Sequence, residues 1–337
     1  MITSDFGYII ATDYVPADGR TDVSDALQAL IDQNPNRTIF FPDGIYLLSK
    51  PILTPAHPER SVSLKLSDFA VLRASEDWSS EEAIVRLGAS HSANDIYTIG
   101  SNYSFSGGII DGADRANGIS VDGGRETVVR DVSIKHTRIG IHIKRGANSG
   151  SSDADISGVN IIGTGKTDSV GVLLEGYDNT LTNMRIAKVF IGVHLCSAGN
   201  SLRNIHPLYT CDYTDYQSSC GFRDEAGNNW YDYAYSDHFG IGYSFARGAS
   251  STVTNGFIWW YSSGGGRHAA VLCDGAFDSV ITNLKIGFCG TETENPILVE
   301  LDAPGKGRGV FDRLAVRLQE VTGDAHLRYL QNGIIPQ

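Results

Sequence analysis

Short runs in which apolar and polar residues alternate return along this chain, and the clearest share a six-residue form, LTNMRI from Leu181 and ITNLKI from Ile281. Related runs start at Phe105, Val129, Ile156, Leu202, Trp230, Val253 and Phe311. Position one is apolar in all nine, and position three is Asn or Asp in six: Asp131, Asn183, Asn204, Asp232, Asn255 and Asn283. Period-two alternation predicts strands, here with a polar turn residue set inside each. Successive starts lie 21 to 30 residues apart, the loose period of a solenoid whose loops vary while its strands stay in register.

A second pattern, Gly-apolar-x-apolar, precedes several of these runs: GISV from Gly118, GIHI from Gly140, GVLL from Gly171, GVHL from Gly192 and GYSF from Gly242. Each such coil therefore holds at least two strands. A propeller blade needs four strands and about 40 residues, more than this period allows. The predicted fold is all-β, a right-handed parallel β-helix of one domain over residues 1–337, with a cap and first strands in 1–60, coils in 61–317 and a tail in 318–337.

An open solenoid end exposes an apolar cross-section and must be covered. The stretch Ala17-Asp18-Gly19-Arg20-Thr21-Asp22 leads into an amphipathic pattern, roughly Val23 to Asp32, with Ser24 or Asp22 as N-cap and Ala26, Leu27, Leu30 and Ile31 on one face. This is the predicted N-terminal capping helix.

Charge narrows the partners. With 27 basic against 39 acidic residues the net charge is −12, which argues against nucleic acid and anionic membranes. Five cysteines, 196, 211, 220, 273 and 289, have no metal-type spacing and read as reduced thiols; Cys196 and Cys273 take similar places in their coils, which suits the interior. No metal and no cofactor is expected. As written, the N-terminus carries no secretory signal, so the expectation is a cytoplasmic protein, or a secreted or periplasmic one if a signal has been removed.

The order Asp-Gly-x-Thr-Asp, helix, then Phe41-Pro42-Asp43-Gly44-Ile45-Tyr46 resembles the start of the pectate-lyase-like superfamily of right-handed β-helices, which includes polygalacturonases, polysaccharide lyases and phage tailspikes. Gly108-Ile109-Ile110-Asp111-Gly112 is similar to a second segment of polygalacturonase-like members. The resemblance implies the fold and a glycan partner. The polygalacturonase catalytic pattern is absent, since the places before the Gly-apolar strands hold Asn117, Ile139, Val170 and Ile191, so those catalytic roles do not transfer.

Two clusters exceed what a scaffold needs. One is Asp111, Asp114, Lys135, His136 and Arg138. The denser one collects Tyr209, Asp212, Tyr213, Asp215 and Tyr216, then Asp237 and His238, Trp259, Trp260 and Tyr261, Arg267 and His268, and Glu292 and Glu294. Residues on adjacent coils stand about 4.8 Å apart, and glycoside hydrolysis needs carboxyls about 5 to 9.5 Å apart, so carboxylates one or two coils apart meet that requirement.

The expected function is a glycoside hydrolase acting on an oligo- or polysaccharide. Asp237 and Asp215 would be the carboxylate pair, His238 and His268 proton carriers, and Arg267 a bidentate carboxylate holder. Tyr209, Asp212, Trp259, Trp260 and Tyr261 would bind sugar rings, one of the two adjacent tryptophans pointing outward and the other into the core. Asp111, Lys135 and His136 form the alternative cluster. A lyase acting by β-elimination on a uronic-acid glycan, and a non-catalytic glycan-binding or tailspike-like module, are the other readings; a homo-oligomer is compatible with each. Each residue also has an ordinary use, Asp237 and Asp212 as turn formers and Trp230 as core.

Overall fold

A computed structural model describes residues 7–55, 60–88, 103–145, 151–246, 248–261, 268–274, 278–289, 297–301, 310–312 and 315–319. It divides into two compact units, residues 1–163 with 175–179, and residues 164–174 with 180–337. Among the described residues no helix is long and apolar enough to cross a membrane.

Within the first unit the chain repeats a three-strand coil, each strand pairing in parallel with its counterpart one coil away. One ladder runs through Arg37–Phe41, Val62–Leu66, Ser104–Ser106, Val128–Arg130 and Asp155–Ser157. A second runs through Gly44–Leu48, Ala70–Ala74, Ile109–Asp111, Ser133–Thr137 and Asn160–Gly163. The Gly-apolar strands form the third, through Ala83–Leu87, Asn117–Val121 and Ile139–Ile143. Register turns alternation into columns: Ile39, Leu64, Phe105, Val129 and Ile156 stack inward in the first ladder, all fully buried. Each such side chain contributes about 1.5 to 3 kcal/mol by leaving water.

The second unit repeats the plan. Its third ladder, Val170–Leu174, Ile191–Leu195, Cys220–Asp224, Ile241–Phe245 and Ala269–Cys273, stacks Val172, Val193, Phe222, Tyr243 and Val271 inward. Here the first two ladders are joined in single eight-residue strands, Thr180–Ala187, Ser201–Leu208 and Trp230–Asp237. The join is the third position of the hexapeptide. Asp131, Asn183, Asn204, Asn255 and Asn283 all have φ near +55°, a left-handed conformation that Asn and Asp adopt at small cost. That single residue bends the strand from one ladder into the next.

One repeat departs from its predicted register. Tyr231, not Trp230, pairs with Leu202, and Ala234 with Ile205, so the hexapeptide is YDYAYS and its left-handed residue is Tyr233, at φ 52°. Trp230, expected in the core, is 53% exposed, and Tyr231 takes the interior place. The bend asparagines otherwise bond one another, Asn204 donating to Asn183 and Asn283 to Asn255. Next to Tyr233 this ladder breaks, and Asn255 donates to Asp232 instead.

The capping helix is Ser24–Gln33, with Val23 at the N-cap position and no side-chain cap there. Leu27, Leu30 and Ile31 are buried as predicted, but Ala26 is exposed. Asp22 acts one residue earlier, accepting from the Ser24 N–H and hydroxyl and from the Ser49 N–H and hydroxyl at 2.5 to 3.3 Å. Burial pushes its carboxyl up, but these bonds outweigh it and hold the group at about 2. A depressed carboxyl stabilises the fold above its unfolded value, near 4, and that contribution is lost as pH falls through about 2. Asp22 is exposed and screened, so Asp22→Ala is expected to cost about 1 kcal/mol at neutral pH. Urea unfolding should show that difference closing between about pH 4 and pH 2.

Candidate functional site

The strand Trp230–Asp237 alternates after its bend, so Ala234 and Ser236 point inward while Tyr235 and Asp237 stand on the outer face. Parallel register sets neighbours beside each. Tyr235 pairs with Phe257, and Asp237 with Leu208 on one side and Trp259 on the other. The His206 ring stacks on Tyr235 at 4.0 Å, and Tyr235 meets Phe257 at 4.5 Å. Beyond them Lys285 lies 5.3 Å over the Phe257 ring. Trp259 and Tyr261 continue the outer face of the next strand, Phe257–Tyr261, with ring centres 6.2 Å apart.

Asp237 sits in this aromatic surface at 5% exposure. Its Oδ2 accepts from the Tyr235 hydroxyl at 3.0 Å and lies 3.2 Å from His206 Nε2. Its Oδ1 is buried and has no hydrogen-bond partner among the described residues. A buried carboxylate oxygen without a donor is costly, and a ligand hydroxyl or water would relieve it once the side chains covering it move aside. Burial and then the Asp237 charge push the Tyr235 hydroxyl far above its usual value, so it stays protonated and donates to Asp237.

Gly287 holds Trp259 in place from the next strand. The two are register partners, and a methyl group at Gly287 would run into the indole. Only a residue without a side chain leaves room for that ring.

His238 follows in left-handed backbone, at φ 62°, and is buried. Its Nδ1 accepts the Tyr261 N–H at 3.0 Å, which leaves the ring proton on Nε2. Burial pulls its pKa below the ordinary value, with the Asp237 charge opposing. A histidine held neutral in the fold is protonated first in the unfolded chain, so stability falls as pH drops below about 6.5. In thermal unfolding, His238→Asn, which keeps an acceptor and tolerates left-handed backbone, is expected to lose less stability between pH 7 and pH 5 than the wild type. Parallel profiles would contradict this.

The remaining predicted residues divide. Tyr209 is buried and donates to the Asp212 carbonyl at 2.6 Å, so it is a packing residue and not a sugar contact. Trp260 is fully buried, its Nε1 donating to the Phe239 carbonyl at 2.6 Å. His268 is fully buried too, between Tyr216 and Trp260. Asp212 and Asp215 are exposed, Asp215 on the short helix Tyr213–Ser218, whose Tyr216 packs against His238 at 5.3 Å. No hydrogen bond links Asp215 to Asp237. Arg267, Glu292 and Glu294 lie outside the described residues. His206, Tyr235 and Phe257, which complete the face, were not singled out from the sequence. For Tyr235 and Phe257 the signal was the alternation itself, since they stand two residues before Asp237 and Trp259, whereas His206 is reached only through its place opposite Tyr235.

The alternative cluster belongs to the first unit and is differently made. Asp111 receives Arg73 Nε at 2.9 Å, His136 Nδ1 at 2.9 Å and the Ala113 N–H at 3.0 Å. Burial pushes its carboxyl up, but the bonds from His136 and Ala113 and the Arg73 charge outweigh it and leave it below the usual range. Lys135 is its register partner and is half-buried. A groove of about 570 Å³ opens over Asp111 and His136, also lined by Asp77 and Arg115. Both Asp111 oxygens are already engaged, which reads as an anchored ion-pair network.

No protein-family profile and no curated protein sequence matches the chain. Solved structures do. The pre-mature gene product 12 of bacteriophage phi29 superposes with a TM-score of 0.67 at 16% identity, over 92% of this chain and 45% of that one. The tailspike protein of E. coli bacteriophage HK620, solved in complex with a pentasaccharide, gives 0.56 at 12% identity, over 95% and 67%. ORF18 of Geobacillus virus E2 gives 0.57 at 12% identity, over 93% and 62%. The chain has the right-handed parallel β-helix fold. It spans 62% of the Geobacillus virus protein and under half of the phi29 protein. At these identities the likeness carries the fold, and chemistry must be argued from side chains.

Proposed function

We propose that the outer face around Asp237 binds a glycan and that the protein hydrolyses a glycosidic bond there. The observation that carries this reading is the half-satisfied Asp237 carboxylate, with Oδ2 anchored and Oδ1 unpartnered among aromatic rings. Trp259 and Tyr261 offer faces on which sugar rings stack, with polar edges for hydroxyls. Oδ2 is held by the Tyr235 hydroxyl and beside His206 Nε2, which fixes the carboxyl's orientation for the proposed base or nucleophile role. Asp215, exposed on the segment packed against His238, is the proposed acid partner. The fold shared with a pentasaccharide-bound tailspike adds weight.

The test is a panel of neutral and uronic-acid glycans, read for new reducing ends and for ultraviolet absorbance of unsaturated product in the same wells. Reducing ends without absorbance are the expected result. Both signals together would replace hydrolysis by β-elimination. Saturable binding without either signal would reduce the reading to a glycan-binding module.

A further inference from the structure

The third ladder of the second unit carries a group of side chains that glycan chemistry does not use. His194 is the outward residue of the strand Ile191–Leu195, and Cys196 follows that strand directly. Glu225 takes the same place one coil on, after Cys220–Asp224. Their backbones are fixed, the Cys196 N–H donating to Leu174 O and the Glu225 N–H to Leu195 O, each at 2.8 Å. Cys196, expected inside like Cys273, is one residue past the interior column and faces outward, half-buried.

The three ligand atoms converge. His194 Nε2 lies 3.4 Å from Cys196 Sγ and 3.0 Å from Glu225 Oε1, and Cys196 Sγ is 3.9 Å from Glu225 Oε2. A tetrahedral zinc centre with ordinary bond lengths sets its sulfur, nitrogen and oxygen ligands about 3.4 to 3.6 Å apart. The imidazole–sulfur distance matches, whereas the two carboxylate contacts are made by different oxygens, and one ligand atom from each residue lies within 4.8 Å of the others. Side-chain rotation of the exposed Glu225 would bring a single oxygen toward both partners.

The first unit supplies an internal contrast. His142 and Glu175 form the same outward pair, at 2.7 Å. The place two residues after the histidine is Lys144, an ammonium bonded to Glu82 and Asp122. A cation there excludes a metal. A thiol at the equivalent place makes the set imidazole, thiolate and carboxylate, a combination that selects zinc over calcium or magnesium.

We propose that His194, Cys196 and Glu225 bind one Zn²⁺ through Nε2, Sγ and a carboxylate oxygen, with water in the fourth position. Binding exchanges the Cys196 thiol proton for the metal and releases that proton to solvent. The half-exposed cluster leaves the water side open, as sites that act on a substrate do.

The test uses the full chain, stripped with a chelator and titrated with Co²⁺. One equivalent is expected, with tetrahedral visible bands and a thiolate charge-transfer band in the near ultraviolet, displaced by Zn²⁺. Cys196→Ser should fold normally and lose the charge-transfer band. Its metal affinity should fall by more than the roughly tenfold to hundredfold that losing an outer partner costs. Glu225→Gln should keep the band and bind more weakly, and Cys211→Ser should change neither. Absence of stoichiometric Co²⁺, or a thiolate band that survives Cys196→Ser, would overturn the site.

Discussion

Asp237→Asn is expected to reduce glycan turnover by about a hundredfold to ten-thousandfold, the range for removing a positioned acid or base. The fold should survive. Asparagine is isosteric, and its oxygen still accepts from Tyr235, so circular dichroism and the unfolding midpoint should stay close to the wild type. What changes is the other atom: the unpartnered Oδ1 becomes an amide donor that carries no charge. Asp215→Asn separates the two carboxylate roles. If Asp215 supplies the acid, its loss should spare substrates with good leaving groups, while Asp237→Asn should impair all substrates alike. Equal activity of Asp237→Asn and the wild type would remove this residue from the chemistry.

Asp224→Ala is expected to cost about 3 to 5 kcal/mol of stability, the cost of breaking a buried charge network. Asp224 occupies an interior column between Leu195 and Phe245 and is 1% exposed. Its Oδ1 accepts from the Ala226 and Gly227 N–H groups and the Asn229 amide, and its Oδ2 from the Tyr231 and Ser251 hydroxyls at 2.8 and 2.6 Å. Burial first, and the Asp224 charge next, push the Tyr231 hydroxyl far up, so it remains a donor. Alanine would leave these donors facing apolar neighbours. At about 2 to 4 °C per kcal/mol for units of this size, the unfolding midpoint should fall by roughly 10 °C. A loss below about 1 kcal/mol in denaturant unfolding would mean the network is replaced by water.

Much of the coil was legible because its determinants are local. Asn183, Asn204, Asn255 and Asn283 mark the left-handed bend, and the residues around them alternate, so strand and turn are written in the same six positions. The code misleads where one of its residues is replaced. In WYDYAY an aspartate beside the bend drew the register one place off, because Tyr233, a poor left-handed residue, holds the bend itself. At Cys220–Asp224 the Gly-apolar-x-apolar pattern was hidden by Asp224, a carboxyl where the column has leucine, phenylalanine or cysteine.

The candidate site was legible only in part. Asp237, Trp259 and Tyr261 could be placed on the outer face by alternation, whereas Tyr209, Trp260 and His268 are consumed by packing under the segment that carries Tyr216. Burial of that kind is set by how an irregular excursion folds back, and no periodicity encodes it. The meeting of His194, Cys196 and Glu225 depends on the register of two coils, so it was invisible to spacing along one of them.

Docking of a saccharide on the Asp237 face is the central proposal. Of the four tryptophans, Trp78 and Trp260 are buried and Trp230 lies exposed at the other end of its strand, so Trp259 is the one whose emission reports on that face. The measurement is tryptophan fluorescence during titration with the best glycan of the panel, in the wild type, Trp230→Phe and Trp259→Phe. The predicted result is a saturable emission change in the wild type and in Trp230→Phe and none in Trp259→Phe, whose affinity, read by calorimetry, is weakened roughly fivefold or more, the equivalent of about 1 kcal/mol of stacking. Unchanged affinity in Trp259→Phe, or binding lost only in Trp230→Phe, would contradict the account and move the docking surface off the Asp237 face.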